Sequence, residues 1–221
     1  MLSRPRSNSR TTNPRLSAVS GKKLDLLNAV EFHDRRVLRA VYGLAWEHFS
    51  TGDAPFTTAR MTELVRMLEA LNLTGTESVL DVGTGAGYRA ALLGSLAAHV
   101  RTIELVPNVA ATARHALNRV GSKNVEIIEG DGSLGWPSGA PYQAILVGRA
   151  SPDVPNQLIN QLDEGGRLVI PIGNASGQLI TRLCRRGDGI ESTTLAPCVL
   201  KQLAFRGERR SSYPWLPLPN G

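Results

Sequence analysis

Residues 78–88 read SVLDVGTGAGY, and this stretch decides the fold. Its first five residues form a short, apolar, β-branched run, which is typical of a buried parallel strand. Gly83, Gly85 and Gly87 follow, and their missing side chains let a ligand lie against the peptide groups. Residues 89–98 are rich in Ala and Leu and lack Pro, which predicts a helix directly after the turn. A strand, a glycine turn and a helix N-terminus together indicate a nucleotide-type site at the carboxyl edge of a sheet.

The glycine spacing distinguishes two kinds of nucleotide. A dinucleotide site has its third glycine three residues after the second, but Tyr88 stands at that position here. Asp81, at the end of the predicted strand, would repel a pyrophosphate. It suits the ammonium group of S-adenosylmethionine, which has no phosphate. The turn therefore favours S-adenosylmethionine, with Thr84 and Tyr88 among the predicted cofactor residues, and an NAD-dependent oxidoreductase is the weakest alternative.

Two further acids follow the next two predicted strands. Glu104 comes about 20 residues after the glycine turn, where an acid commonly accepts hydrogen bonds from ribose hydroxyls. Leu105 follows it and belongs to the predicted site. Asp131, with Gly132 after it, can bind an adenine amino group and leave room for the ring. A single acid of this kind is equally compatible with a solvated strand end or a helix N-cap, but acids at three successive strand ends favour a cofactor site.

Apolar runs and helical patterns alternate along the rest of the core, which predicts right-handed crossovers and a parallel sheet. The fold class is therefore α/β: a doubly wound, Rossmann-like methyltransferase fold, mostly parallel with an antiparallel strand, and with an N-terminal helical extension. The predicted strands are 78–82, 100–104, 124–128, 143–148, 167–172, 178–185 and 193–203, and the predicted core helices are 88–98, 107–120 and 154–163.

The chain divides into four predicted parts. Residues 1–23 form a disordered basic tail, and residues 24–72 form a helical segment that packs on the core. Residues 73–205 form the S-adenosylmethionine-binding core, and residues 206–221 form an irregular C-terminal tail.

The net charge of +6 is concentrated in the N-terminal tail. Six basic residues precede the first acid, Asp25, and the remainder has 19 basic and 19 acidic residues, so no nucleic-acid partner is expected. An Arg- and Ser-rich start also describes a transit peptide, but Pro5 and Pro14 interrupt the amphipathic helix that such a peptide needs. No apolar run suits a membrane span, and two cysteines indicate neither a disulfide framework nor a metal site. We expect a cytoplasmic monomer without a membrane partner or a bound metal.

Several stretches of the chain resemble the protein-L-isoaspartate O-methyltransferases. They are VLDVGTGAGY at 79–88, TIELVP at 102–107, NVEIIEGDGSLG at 124–135, APYQAILV at 140–147 and residues 159–173, which end in GGRLVIPIG. The resemblance implies methylation of the isoaspartyl carboxylate of damaged proteins or peptides. The ester then cyclises to a succinimide that reopens partly to normal Asp, which constitutes protein repair. No general base is expected, because a carboxylate is already ionised at neutral pH.

The chain departs from this family where the resemblance implies a substrate loop of about twenty residues. Only residues 50–54 separate Phe49 from Pro55, so the loop is shortened, and the family's substrate-binding Ser aligns with Asp53. The candidates for the substrate mouth are Ser50, Thr51, Pro55 and Thr58. A helix-starting turn with Asp53 as its N-cap is an equally good interpretation of this region. Two alternatives therefore stay open: a methyltransferase with a different acceptor, and a cofactor-binding protein that has lost catalysis.

Overall fold

The computed structural model describes residues 30–44, 49 and 58–203, and of residues 58 and 59 it describes the backbone only. The elements run in the order α1 (Arg35–Gly43), α2 (Thr58–Ala70), β1 (Ser78–Val82), α3 (Tyr88–Leu96), β2 (His99–Glu104), α4 (Pro107–Arg119), β3 (Val125–Glu129), β4 (Tyr142–Val147), α5 (Asn156–Asn160), β5 (Leu162–Asn174), β6 (Gly177–Arg186) and β7 (Gly189–Cys198). No helix in the described ranges is both long enough and apolar enough to cross a membrane.

The strands form one seven-stranded sheet in the order β3-β2-β1-β4-β5-β6-β7. Strands β1 to β5 pair with one another in parallel, and β6 is antiparallel to both β5 and β7. This arrangement confirms the predicted doubly wound, mostly parallel sheet with an antiparallel strand. Because β1 pairs with β2 on one side and with β4 on the other, the chain reverses its winding direction at β1, and a crevice forms at the carboxyl ends of β1 and β4.

Apolar side chains on both faces of the sheet explain why its central strands are buried. One cluster joins α1, α2 and α3 to one face through residues such as Val41, Met61 and Leu92, each fully buried. A second cluster lies on the other face and includes Leu80, Ile145 and Leu158. The described helices before β1 therefore pack on the core.

The three largest differences between predicted and observed elements are in α5, β5 and β7. The helix predicted over 154–163 spans only Asn156–Asn160, because the chain turns at Gln161 and pairs Leu162 with Tyr142 of β4. Strand β5 is correspondingly longer than the predicted 167–172. The strand predicted over 193–203 is Gly189–Cys198, since it begins directly after the turn that follows β6. The predicted tails 1–23 and 206–221 lie outside the described residues, and the four-part division stays a prediction.

Candidate active site

The glycine turn lies in the crevice between the ends of β1 and β4. The Gly83 N–H donates to the Ile103 carbonyl (2.9 Å), and the Gly148 N–H donates to the Val82 carbonyl (3.1 Å). These hydrogen bonds extend the strand ladders by one residue and fix the turn against β2 and β4. Positive φ angles of 87° and 56° at Gly83 and Gly85 exclude most side chains from the turn. A Cβ atom built on Gly85 would meet nothing within 4 Å, so the turn presents open backbone to a ligand.

Glu104 lies at the end of β2 beside this turn. Its carboxylate accepts hydrogen bonds from the Gly85 N–H (2.9 Å) and from the Val106 N–H (3.1 Å). The residue is only 9% exposed, so these two bonds hold the carboxylate rigidly at the edge of the crevice. Each oxygen keeps a further lone pair that can accept from a hydroxyl group. Leu105, the next residue, is half-buried.

Asp131 lies one strand further out, after β3. Its Oδ1 accepts from the backbone N–H (2.9 Å) and the hydroxyl (2.7 Å) of Ser133. Asp131 thereby caps the short 3₁₀ helix Gly132–Leu134. Gly132 is buried, and a Cβ atom there would lie 2.6 Å from a methyl carbon of Val82. Only glycine therefore lets the chain after β3 approach the end of β1 so closely.

Thr84 and Tyr88 contribute to the wall of the crevice, but their polar and aromatic groups point into the protein. The Thr84 hydroxyl lies 2.7 Å from the Thr102 hydroxyl, and Thr84 is 3% exposed. The Tyr88 ring packs edge-on against Phe49, with ring centroids 5.5 Å apart. Both residues support the turn, and direct contact of either with a cofactor stays a prediction.

Asp81 is fully buried and already has two partners. Its Oδ1 accepts from Arg89 Nε (2.5 Å), and its Oδ2 accepts from the Thr102 hydroxyl (2.7 Å). The register of β1 and β2 places Asp81 directly beside Thr102. The sequence predicts that Asp81 supports the ammonium group of a ligand. In this structure the Arg89 guanidinium already occupies the Asp81 carboxylate.

The candidates for the substrate mouth are not placed by the structure. Ser50, Thr51 and Pro55 lie outside the described residues, and only the backbone of Thr58, the first residue of α2, is described. Their predicted role stays a prediction.

Comparison with known proteins identifies the family. Residues 29–202 match the family described as Protein-L-isoaspartate(D-aspartate) O-methyltransferase. The chain belongs to this family. A protein-L-isoaspartate O-methyltransferase of Myxococcus xanthus is 42% identical over 178 residues, which cover 74% of this chain and 84% of that protein. An Anaeromyxobacter dehalogenans protein of the same name is 43% identical over 183 residues, covering 76% of this chain and 88% of its own length.

Solved structures of isoaspartate methyltransferases share the fold. One protein-L-isoaspartate O-methyltransferase has a TM-score of 0.72 at 20% identity, covering 82% of this chain and 66% of its own. A Plasmodium falciparum protein, described as a candidate member of the family and solved with S-adenosyl-L-homocysteine, has a TM-score of 0.68 at 18% identity. The match covers 81% of this chain and 97% of that protein.

The cofactor of the isoaspartate methyltransferase family, S-adenosylmethionine, fits most of the crevice. The open backbone at Gly85 leaves the space that a ligand needs, and the rigid Glu104 carboxylate suits ribose hydroxyls. Asp131 lies just beyond the end of the next strand, and its contact with the adenine stays a prediction. The acceptors predicted for the ammonium group, Asp81 and the carbonyls at the end of β1, are occupied by an internal cation, Arg89.

Sequence reasoning missed the basic residues of this methyltransferase crevice. A cleft of about 230 Å³ extends from the glycine turn to α2 and to Leu200. Its charged lining, among the residues that the structure describes, consists of Arg60, Arg89, Arg149 and Glu63. Arg149 is half-buried and has no hydrogen-bond or ion-pair partner in the part of the chain that the structure describes. One signal was present in the sequence: Gly148 ends the predicted strand 143–148 and Arg149 follows it, at a strand end where ligand-binding residues collect.

The acid of the cleft has a structural partner. Glu63 Oε1 accepts from the Val199 N–H (2.7 Å), which ties the chain after β7 to α2. Burial, and to a smaller extent the charge of Glu63, raises the pKa of the neighbouring Cys198 thiol to about 11. The thiol is therefore protonated at neutral pH and unsuited to act as a nucleophile.

Proposed function

We propose that this protein transfers a methyl group from S-adenosylmethionine to the free carboxylate that isoaspartyl residues expose in damaged proteins, as the first step of protein repair. Membership of the isoaspartate methyltransferase family supports the reaction class. The observation that carries the choice of a carboxylate acceptor is Arg149, a half-buried guanidinium without a described partner, beside the open glycine turn.

The position of Arg149 explains how a carboxylate could be held at this site. Its side chain is packed close to Gly83, since a Cβ atom built on that glycine would lie 3.6 Å from Arg149 Cγ. A guanidinium presents paired N–H donors that match the two oxygens of a carboxylate, and such charge-assisted bonds are strong where water is scarce. Leu64, Met67 and Leu200 form the apolar part of the same cleft and limit the access of water.

When bound, S-adenosylmethionine supplies a methyl group on a sulfonium, and transfer forms an O–CH₃ bond while the electrons of the broken S–CH₃ bond return to sulfur. The carboxylate needs no deprotonation, so the protein's task is to align the acceptor with the donor and to exclude water. We assign the glycine turn, Glu104 and Asp131 with Gly132 to the donor. We assign Arg149 to the acceptor carboxylate. Ser50, Thr51, Pro55 and Thr58 remain candidates for the rest of the acceptor site.

A methyl-transfer assay tests the acceptor. The protein is incubated with methyl-labelled S-adenosylmethionine and an isoaspartyl peptide, and the matching Asp peptide serves as control. Base-labile label on the isoaspartyl peptide alone is the expected result. Equal labelling of both peptides would indicate a different acceptor specificity, and cofactor binding without any transfer would indicate a protein that has lost catalysis.

A matched pair of variants tests Arg149. Loss of a charge-assisted hydrogen bond costs about 1.5–3 kcal/mol, so Arg149→Gln should raise the KM for the isoaspartyl peptide at least about tenfold. Arg186→Gln removes an exposed guanidinium that pairs with Glu191 at the other edge of the sheet, and should leave the KM unchanged. Equal KM values for both variants would refute the role of Arg149.

We infer that the protein acts as a cytoplasmic monomer. The inference rests on the two cysteines, Cys184 and Cys198, which are both free thiols, and on the balanced charge outside the N-terminal tail. Sedimentation analysis of the full chain, which should give a mass near 23.8 kDa, tests the oligomeric state.

A further inference from the structure

Arg89 extends from the first turn of α3 back over the end of β1. Its Nε donates to Asp81 Oδ1 (2.5 Å), and its Nη2 donates to the carbonyls of Val82 (2.9 Å) and Gly83 (2.7 Å). The side chain is 14% exposed and lines the cleft. A carboxylate and two carbonyl oxygens therefore surround one cation.

These three acceptors form a general site for a cation with several N–H donors. Asp81 is fully buried, and a buried carboxylate without a positive partner is costly. Thr102 satisfies only its second oxygen. An alkylammonium group has three N–H donors and the same charge as a guanidinium, so it satisfies the same acceptors. Two cations cannot occupy them together, because like charges at contact distance repel strongly.

Gly148 makes the position of Arg89 possible. A Cβ atom built on Gly148 would lie 1.4 Å from one terminal nitrogen of Arg89, well inside contact distance. Any side chain at position 148, directly after β4, would thus exclude the guanidinium from the end of β1. The missing side chain of Gly148 therefore lets Arg89 reach the end of β1, at the point where the sheet reverses its winding.

We propose that the Arg89 guanidinium occupies the acceptors that bind the ammonium group of the methyl donor, so that Arg89 sets the donor affinity by competing with the donor. This inference rests on the proposed function, since it takes the donor to be S-adenosylmethionine. Donor binding requires the guanidinium to leave Asp81 and the two carbonyls. The apparent affinity is then reduced by the small fraction of molecules in which Arg89 is displaced. Ligands that lack the ammonium group do not meet this competition.

Binding measurements on two variants test the competition. Arg89→Gln removes the positive charge but keeps an N–H donor for Asp81, and Arg89→Lys keeps the charge. Calorimetric Kd values are measured for S-adenosylhomocysteine, which carries the ammonium group, and for 5′-methylthioadenosine, which lacks it. Arg89→Gln should bind S-adenosylhomocysteine at least about tenfold more tightly than the unchanged protein, whereas Arg89→Lys should differ by less than about threefold. All three proteins should bind 5′-methylthioadenosine equally.

A thermal-unfolding measurement gives a second readout. Without ligand, Arg89→Gln should have the lower Tm, because Asp81 loses its cationic partner, and saturating S-adenosylhomocysteine should raise its Tm more than it raises that of the unchanged protein.

The outcomes separate this inference from the proposed function. Unchanged or weaker binding of S-adenosylhomocysteine to Arg89→Gln would overturn the competition, as would an equal gain for 5′-methylthioadenosine. The isoaspartyl transfer assay would be unaffected by that result. If neither ligand binds any of the three proteins, the donor assignment fails, and this inference fails with it.

Discussion

Glu77 stabilises the turn from which β1 begins, and its carboxylate should make the fold sensitive to acid. The residue is 5% exposed. Its oxygens accept from the Thr74 N–H (2.8 Å), the Thr74 hydroxyl (2.8 Å), the Gly75 N–H (2.9 Å) and the Thr76 N–H (3.1 Å). Burial by itself raises the pKa of Glu77, but the hydrogen bonds from Thr74 and Gly75 outweigh it and lower the pKa from 4.5 to about 2.

The size of the effect follows from linkage between protonation and folding. A pKa lowered in the folded state stabilises the protein above the unfolded pKa, and this stability is lost as the pH falls through the folded pKa. At about 1.4 kcal/mol per pH unit, the difference between 4.5 and about 2 corresponds to about 3 kcal/mol at pH 7. The contribution declines below about pH 5, and less than half of it remains at pH 3.

Urea unfolding between pH 7 and pH 3 tests this value. At pH 7 the free energy of unfolding of Glu77→Gln should be about 3 kcal/mol lower than that of the unchanged protein, and the difference should shrink as the pH falls. Glu126→Gln, which changes a carboxylate 65% exposed in its pair with Arg101, should differ by less than about 0.5 kcal/mol at every pH. A penalty for Glu77→Gln that stays constant from pH 7 to pH 3 would refute the role of its charge.

Three further experiments test the packing around the site. Gly132→Ala should lower the free energy of unfolding by about 1–3 kcal/mol, because its methyl group would overlap a buried valine, whereas Gly43→Ala, with nothing within 4 Å, should be tolerated in the same urea titration. Thr102→Val removes the hydroxyl that donates to Asp81 and should cost about 1–3 kcal/mol by chemical denaturation, while Thr102→Ser should cost less. Cys198, whose pKa burial raises to about 11, should resist alkylation by iodoacetamide at pH 8 in the folded protein and react in urea; rapid labelling of the folded protein would contradict its burial.

Most of the core fold could be predicted from local sequence, because its central strands are continuous apolar runs that have no other stable location. The predicted 78–82 coincides with β1, and the predicted 100–104 differs from β2 by one residue. The helix predicted over 154–163 was too long, because Leu162 suits a helix or a strand and its pairing with β4 decides between them. Such pairing depends on distant residues and is not visible in a local pattern.

The candidate site could be predicted in part for the same reason. Gly85 and Glu104 lie together because the carboxyl ends of adjacent parallel strands meet at one edge, which the strand order implies. The partner of Asp81 could not be predicted this way. Arg89 reaches it only because Gly148, 59 residues later in the chain, leaves space, and that depends on the pairing of β1 with β4.

Strand β7 forms an outer edge of the sheet in the described structure. Its composition affects whether other extended chains can pair with that edge. Ten residues of backbone at a free edge can recruit another extended chain and start aggregation. Pro197 lacks an N–H group, Glu191 adds a charge, and the register with β6 skips Leu195, so the edge is interrupted at several points. A protein that handles damaged, partly unfolded chains thereby avoids becoming a template onto which those chains could assemble.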